Sequence, residues 1–189
     1  DAITISKEQF EFTSNIIQKE GLNEKVKVIF KDYRDINKKY SNIASIEMFE
    51  AVGKEYWHTY FDKLKNSLSD NGLASLQIIT IKDDKADYYQ NNPDFIQQYI
   101  FPGGVLPSKN QIKKITNQIG LKCNEFKSFG QSYAKTLKLW NNQFQLSWEE
   151  LSTMGFNLRF KRMWEYYLSY CEVGFITKST DVSHFLLKF

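Results

Sequence analysis

Two carboxylates three residues apart, in Glu47-Met48-Phe49-Glu50, leave the end of an apolar run, Ile43-Ala44-Ser45-Ile46. Glu50 falls where a following helix begins, a place where a carboxylate interacts favourably with the helix dipole. Glu47 reads as structural. A second pair, Asp32-Tyr33, follows the short alternating run Lys25–Lys31, and a third group spans Thr4 to Gln9 after the run Ala2-Ile3-Thr4-Ile5. If these runs are strands of a parallel sheet, all three groups lie at C-terminal strand ends, where such sheets bind ligands. There an aspartate can accept a hydrogen bond from an adenine amine and a tyrosine can stack on the ring, although loop polarity accounts for Asp-Tyr equally well. Tyr133, in Phe129-Gly130-Gln131-Ser132-Tyr133, offers a phenol as donor or acceptor. His58 and His184 read as surface or structural residues.

The elements that must position these groups follow from pattern. Ser6 followed by Gln9 has the spacing of a capping box, and Phe10, Phe12, Ile16 and Ile17 mark a helix ending near Gly21. Ile43–Ile46 reads as a buried strand. A helix runs through Tyr56, Tyr60, Phe61, Leu64 and Leu68 and stops at the turn Asp70-Asn71-Gly72. Leu73–Ile81, rich in β-branched residues, is the strongest strand. This order predicts an α/β fold: a mostly parallel sheet with helices on both faces. Further on, Phe101–Gly104 is a turn, Ser108 caps a helix through Ile112, Ile115 and Ile119, and Leu121–Phe126 is a strand. Two aromatic-rich helical stretches follow, Gln131–Leu151 and Phe156–Glu172. In the second, Phe160, Met163, Trp164, Tyr167 and Tyr170 recur at helical spacing, as core packing or as the wall of an acyl-chain pocket. The tail from Phe175 to Phe189 returns to the sheet as a last strand.

Composition bounds the function classes. The chain has 189 residues, 42% of them apolar and 16% aromatic, with only three prolines, so it reads as one folded domain over 1–189. A net charge of +3 tolerates an anionic surface without demanding one, and the scattered lysines do not form a nucleic-acid footprint. Cys123 and Cys171 lie far apart with no CxxC spacing, which points to reduced buried thiols and no metal site. No apolar run reaches the roughly 18 residues of a membrane span, and no signal peptide is expected. Any lipid contact is then peripheral.

Taken together, six blocks resemble the cyclopropane-fatty-acid synthase family in order and spacing. They are Ile3–Gln9, Asp32–Asp35, Ser45–Gly53, Tyr99–Ser108, Phe129–Trp140 and Arg159–Leu168, and the similarity spans essentially the whole chain. The resemblance implies the class I fold of methyltransferases that use S-adenosylmethionine (SAM), with extra aromatic helices late in the chain. It places Thr4 and Gln9 at the ribose and methionine region of SAM, and Asp32 and Tyr33 at the adenine. It places Glu50, Tyr133 and the backbone of Ile81 around a bicarbonate ion. The family methylates the cis double bond of an unsaturated phospholipid acyl chain; bicarbonate removes a proton from the resulting cation and the ring closes. An alkene is a poor nucleophile, so positioning must supply much of the acceleration, and aromatic faces suit the cation.

Two departures from the family are visible. The family's central strand, its Gly-rich turn and a cysteine near the bicarbonate would all lie upstream of Asp1. These 189 residues alone are therefore expected to be the C-terminal major part of the domain, and inactive. Secondly, Ile79 stands where many members carry a histidine that binds bicarbonate. Isoleucine offers that anion no donor, so a methyl-branched or methylene product from the same cation competes with the cyclopropane. Two rival readings fit the same residues. One is a small-molecule N-methyltransferase of the same fold. The second is a non-catalytic lipid-binding domain, suggested by the aromatic stripe with Arg159, Lys161 and Arg162. The partners expected are unsaturated phospholipid, a membrane surface met peripherally and a second copy in a homodimer. The expected location is the cytoplasm, at the inner face of the membrane.

Overall fold

In the computed structural model, which describes residues 1–189, the chain opens with strand β1 (Ala2–Thr4) and helix α1 (Lys7–Lys19). Ser6 caps α1 by accepting the Gln9 amide at 3.2 Å, but only this arm of the expected capping box forms. The Gln9 side chain instead accepts the Thr4 hydroxyl at 2.7 Å. Gly21, at φ +64°, turns the chain into β2 (Val28–Phe30), shorter than the alternating run suggested and paired in parallel with β1.

Strand β3 (Tyr40–Ile46) leads through a turn at Phe49–Ala51 to α2 (Trp57–Ser67), whose Trp57, Tyr60, Phe61 and Leu64 recur at helical spacing and are all buried. Strand β4 then runs from Leu68 to Ile81. The expected turn at Asp70–Gly72 is a bulge within it: the β3 register jumps from Tyr40↔Leu68 to Asn42↔Leu73, with Asn71 at φ +62°. Next come α3 (Asp83–Asn91), a short turn of π-helix (Ile96–Ile100), and α4 (Lys109–Gln118). At the start of α4 Ser108 and Gln111 complete a capping box. The rest is β5 (Lys122–Ser128), α5 (Gly130–Leu146), α6 (Trp148–Thr153), α7 (Leu158–Ile176) and β6 (Thr180–Lys188).

The strands form two ladders: β1-β2, and a four-stranded sheet in the order β3-β4-β6-β5. Three strands of the larger sheet run the same way, and β6 enters antiparallel between β4 and β5. The sheet is thus mostly parallel, as expected, with the tail as its last strand. No ladder joins β1 to β3, and β3 is an edge strand. The sequence reading of β3 as buried is corrected here: Ile46 is 68% exposed, because its outer edge has no neighbour.

Each face of the larger sheet carries its own core. Ala74, Leu76 and Ile78 of β4 and Phe185 and Leu187 of β6 pack with Phe49, Phe61 and Leu64 near α2, and with Ile112 and Ile115 of α4. On the other face Val182 and Ile79, a directly opposed pair, meet Ala134 and Leu137 of α5 and Leu168 and Phe175 of α7. Truncating the fully buried Phe185 to alanine is expected to cost about 3–5 kcal/mol. Leu139→Ala, at an exposed position, is expected to change stability by no more than about 0.5 kcal/mol. Urea unfolding of the two variants checks this contrast.

Candidate active site

β4 is longer than its parallel neighbour. Pairing with β3 ends at Ile46↔Gln77, so the amides beyond it on that edge must find other acceptors. The Ile81 amide donates to the Pro107 carbonyl at 2.9 Å, and the Ile79 amide donates to Glu50 Oε1 at 2.5 Å. Glu50 is brought there by the turn after β3, and its carbonyl accepts the Val105 amide at 2.9 Å. Its second oxygen, Oε2, is buried without a hydrogen-bond partner. Burial pushes the Glu50 carboxyl up to about 7; the Ile79 amide opposes the shift and the neighbouring Glu47 charge adds to it.

Glu47, read as structural, makes polar contacts with β4 and α5. It sits at φ +50°, a conformation that costs a non-glycine residue roughly 1–2 kcal/mol. Contacts over-determine that geometry: the Glu47 amide donates to the Gln77 carbonyl at 2.9 Å, and Glu47 Oε1 accepts from Gln77 Nε2 at 2.8 Å and from the Tyr133 hydroxyl. Gln77 Nε2 also donates to the Tyr133 oxygen at 2.8 Å, and Gln77 Oε1 lies 2.9 Å from His184 Nε2. Gln77 and His184 are directly opposed on β4 and β6. The His184 ring packs against Phe126 and Phe129, at 5.3 and 4.8 Å between centroids. His184, read as surface or structural, therefore ends a polar chain that reaches Glu47. Burial, followed by the hydrogen bond to Glu47, pushes the Tyr133 phenol well above its ordinary range.

Tyr133 is placed by the start of α5. A Cβ on Gly130 would stand 2.7 Å from Asp181 Oδ1 and 3.1 Å from the Phe175 ring, so only glycine allows this close approach. Asp181 accepts the Gly130 amide at 3.0 Å and the Lys109 ammonium at 2.9 Å, and also bonds Ser128. Burial pushes the Asp181 carboxyl up, but these bonds outweigh it and hold the group below its ordinary value. Tyr133 packs between Phe129 and Phe175, and on the same side Phe160, Trp164 and Tyr167 of the aromatic stripe line the second core. Tyr170 stands apart, with its hydroxyl on Asp94 at 2.7 Å.

Thr4 and Gln9 line a shallow cleft at β1 together with Ile3, Thr13 and Val28. The Gln9 amide nitrogen remains a donor there, so the pair fits the hydroxyls of a ribose. Asp32 caps its own turn and accepts from Arg34 through both oxygens, at 2.7–3.0 Å. The Arg34 side-chain hydrogen bond holds its carboxyl below the usual range, so Asp32 remains an ionised acceptor. Tyr33 packs edge-on against Tyr60 at 5.6 Å, on the margin of the first core. Tyr60 in turn donates to Ser45 at 2.8 Å and packs on Phe49 beside Glu50. No hydrogen bond links the Thr4–Gln9 group to the Glu50–Tyr133 group.

The residues do not fit a bicarbonate ion. The Tyr133 hydroxyl is committed to Glu47, the Ile81 amide to Pro107 and the Ile79 amide to Glu50. Glu47, Gln77 and His184 escaped sequence reasoning. The one available signal was a second carboxylate at the β3 end.

Glu50 also sets a pH dependence. Below pH 4.5 both folded and unfolded chains hold its proton, and above about 7 neither does. Between these values the folded protein keeps a proton that the unfolded chain has lost, so stability falls as pH rises across the window. The loss is at most about 3 kcal/mol. Glu50→Gln is expected to flatten this slope and to be the more stable form at pH 8, as read from urea midpoints at pH 5 and 8.

Known proteins share both the sequence pattern and the fold. The family described as mycolic acid cyclopropane synthetase matches residues 1–185. The tuberculostearic acid methyltransferase UfaA1 of Mycobacterium tuberculosis is 36% identical over 187 residues, 98% of this chain and 44% of the relative. The cyclopropane-fatty-acyl-phospholipid synthase of Escherichia coli is 36% identical over 173 residues, 92% of this chain and 43% of the relative. The chain thus spans less than half the length of these two relatives. Among solved structures, the mycolic acid cyclopropane synthase CmaA1, complexed with SAH and CTAB, superposes with a TM-score of 0.84 at 23% identity, covering 99% of this chain and 68% of that one. The cyclopropane synthase MmaA2 from Mycobacterium tuberculosis gives 0.81 at 24% identity, covering 98% and 68%. At these identities the structures support the fold, that of the class I methyltransferases, while the match over nearly the whole sequence establishes kinship: the chain belongs to the mycolic acid cyclopropane synthetase family.

Proposed function

We propose that the protein carrying this chain transfers a methyl group from SAM to the cis double bond of unsaturated acyl chains in phospholipid. The observation that carries the reading is the buried Glu50 carboxyl set beside Tyr133 and Glu47, against the aromatic surface of α5 and α7. A dry wall of aromatic faces stabilises a carbocation, and the cluster beside it offers proton acceptors. The enzymatic names of the two 36%-identical relatives point the same way. SAM supplies an electrophilic methyl group on a sulfonium. Thr4 and Gln9 would hold its ribose and methionine region, and Asp32 the adenine amine. Phospholipid substrate implies peripheral contact with a bilayer; no helix is long and apolar enough to cross one.

Two products are consistent with one cation: a cyclopropane, or a methylene chain after a hydride shift. The second is favoured by Ile79, which leaves the site without a histidine, and by the tuberculostearic acid named for UfaA1. β1-β2 and the larger sheet share no ladder, so the cofactor end is tied to the Glu50 end by side chains alone: Tyr40 and Lys38 hold Asp1, and Tyr33 packs on Tyr60. The 189 residues alone are therefore expected to give no turnover, whereas the native polypeptide that contains them methylates lipid. Incubation with methyl-labelled SAM and phospholipid bearing cis-unsaturated chains, followed by mass analysis of the released acyl chains, tests this. A methylated amine in place of a methylated chain would overturn the substrate class.

A further inference from the structure

We propose that the carboxylate of Glu47 is the built-in proton acceptor of this site, standing where the family resemblance expects a bicarbonate ion. The inference rests on the methyl-transfer reading and adds to it the identity of the base. The Tyr133 hydroxyl, expected to hold an external anion, is hydrogen-bonded to Glu47 Oε1. Gln77 Nε2 reaches both partners at 2.8 Å, so the amide and the phenol form a cradle already filled by a carboxylate of the chain itself. A second anion placed against Tyr133 would face Glu47 at close range, and like charges that near disfavour each other strongly.

Three further features favour Glu47 over its neighbour. Glu50 Oε1 is held by the Ile79 amide and Oε2 is enclosed, so Glu50 is packed into the protein and not directed outward. Glu47, by contrast, is exposed, and it is presented by a backbone at φ +50° that would be costly to keep without a purpose for the side chain. Lastly, Ile79 removes the histidine donor that an external anion would need, and its side chain fills the apolar core on the α5–α7 face. Ile79 and the Glu47 carboxylate lie at the same end of β4, where Glu47 bonds Gln77, two residues before Ile79.

The step balances without any external base. The alkene π pair forms the new bond to the methyl carbon as the sulfur–carbon bond breaks, its electron pair remaining on sulfur. The adjacent chain carbon is left cationic. Glu47 then accepts a proton from the transferred methyl group, and the released C–H pair closes the ring on the cationic carbon. After a hydride shift, the same pair forms the exocyclic double bond. Glu47 returns its proton to solvent.

The test uses the native polypeptide that contains this chain, with methyl-labelled SAM and unsaturated phospholipid, in buffer either freed of carbon dioxide or supplemented with bicarbonate. Wild-type turnover is expected to be the same in both buffers. Glu47→Gln, which keeps the shape and an acceptor for Tyr133, is expected to lose at least about 100-fold, the usual worth of a positioned general base. Glu47→Ala, which vacates the cradle, is expected to regain part of its activity with added bicarbonate. With a trideuteromethyl donor, the isotope effect on product formation is expected to rise in the Glu47→Gln variant as proton removal becomes limiting. Circular dichroism confirms that both variants are folded. A wild type that stops without bicarbonate, or a folded Glu47→Gln variant that keeps its rate, overturns the assignment of the base and leaves methyl transfer standing. A wild type that labels no lipid in either buffer overturns the methyl-transfer reading and this inference with it.

Discussion

Strand β4 outruns β3, and much of the site follows from the backbone donors left over. An amide on an open sheet edge inside a protein has to be satisfied, at a cost of roughly 1–3 kcal/mol if it is not. Here Pro107 takes one such amide and the Glu50 carboxylate takes another. Meeting the second need draws a carboxyl out of water and fixes the turn that follows β3. That turn carries Glu47 into its left-handed conformation, next to Gln77 and Tyr133. The anionic character of the cluster is thus tied to a mismatch in strand length.

The opposite wall is positioned by a different device. β6 enters antiparallel, and Asp181 at its start gathers Gly130, Ser128 and Lys109 into one bonded group. The helix that begins at Gly130 is anchored there, and Tyr133, nearly one turn on, meets Glu47. The last strand to join the sheet therefore aligns a residue from mid-chain with one near the beginning. Folding of the tail and assembly of the cluster are coupled.

Much of this was legible in the sequence where the signal is local. Leu73–Ile81 announced itself through β-branched residues, Ser108–Gln111 through capping spacing, and Glu50 through its place at a strand end. The fold class follows from element order together with the six family blocks. What remained hidden depends on register. Gln77 and His184 are far apart in sequence and meet only because β4 and β6 pair at that position, which no periodicity encodes. The partners of Glu47 were hidden because they depend on the conformation of one turn, which residue type and spacing do not encode. In this turn, a positive φ sends the two carboxylates to different partners. The burial of β3 was overestimated for a related reason: apolar composition cannot show whether a strand has a neighbour on its outer edge.

The polar chain also has a direction. Gln77 Nε2 spends both of its hydrogens, one on Glu47 and one on the Tyr133 oxygen, which leaves its carbonyl facing His184. An acceptor facing the imidazole is met by an N–H at Nε2, so His184 donates to Gln77 in this arrangement. The ring thereby becomes a built-in spectroscopic reporter. Its nitrogen chemical shifts record which way the amide of Gln77 points.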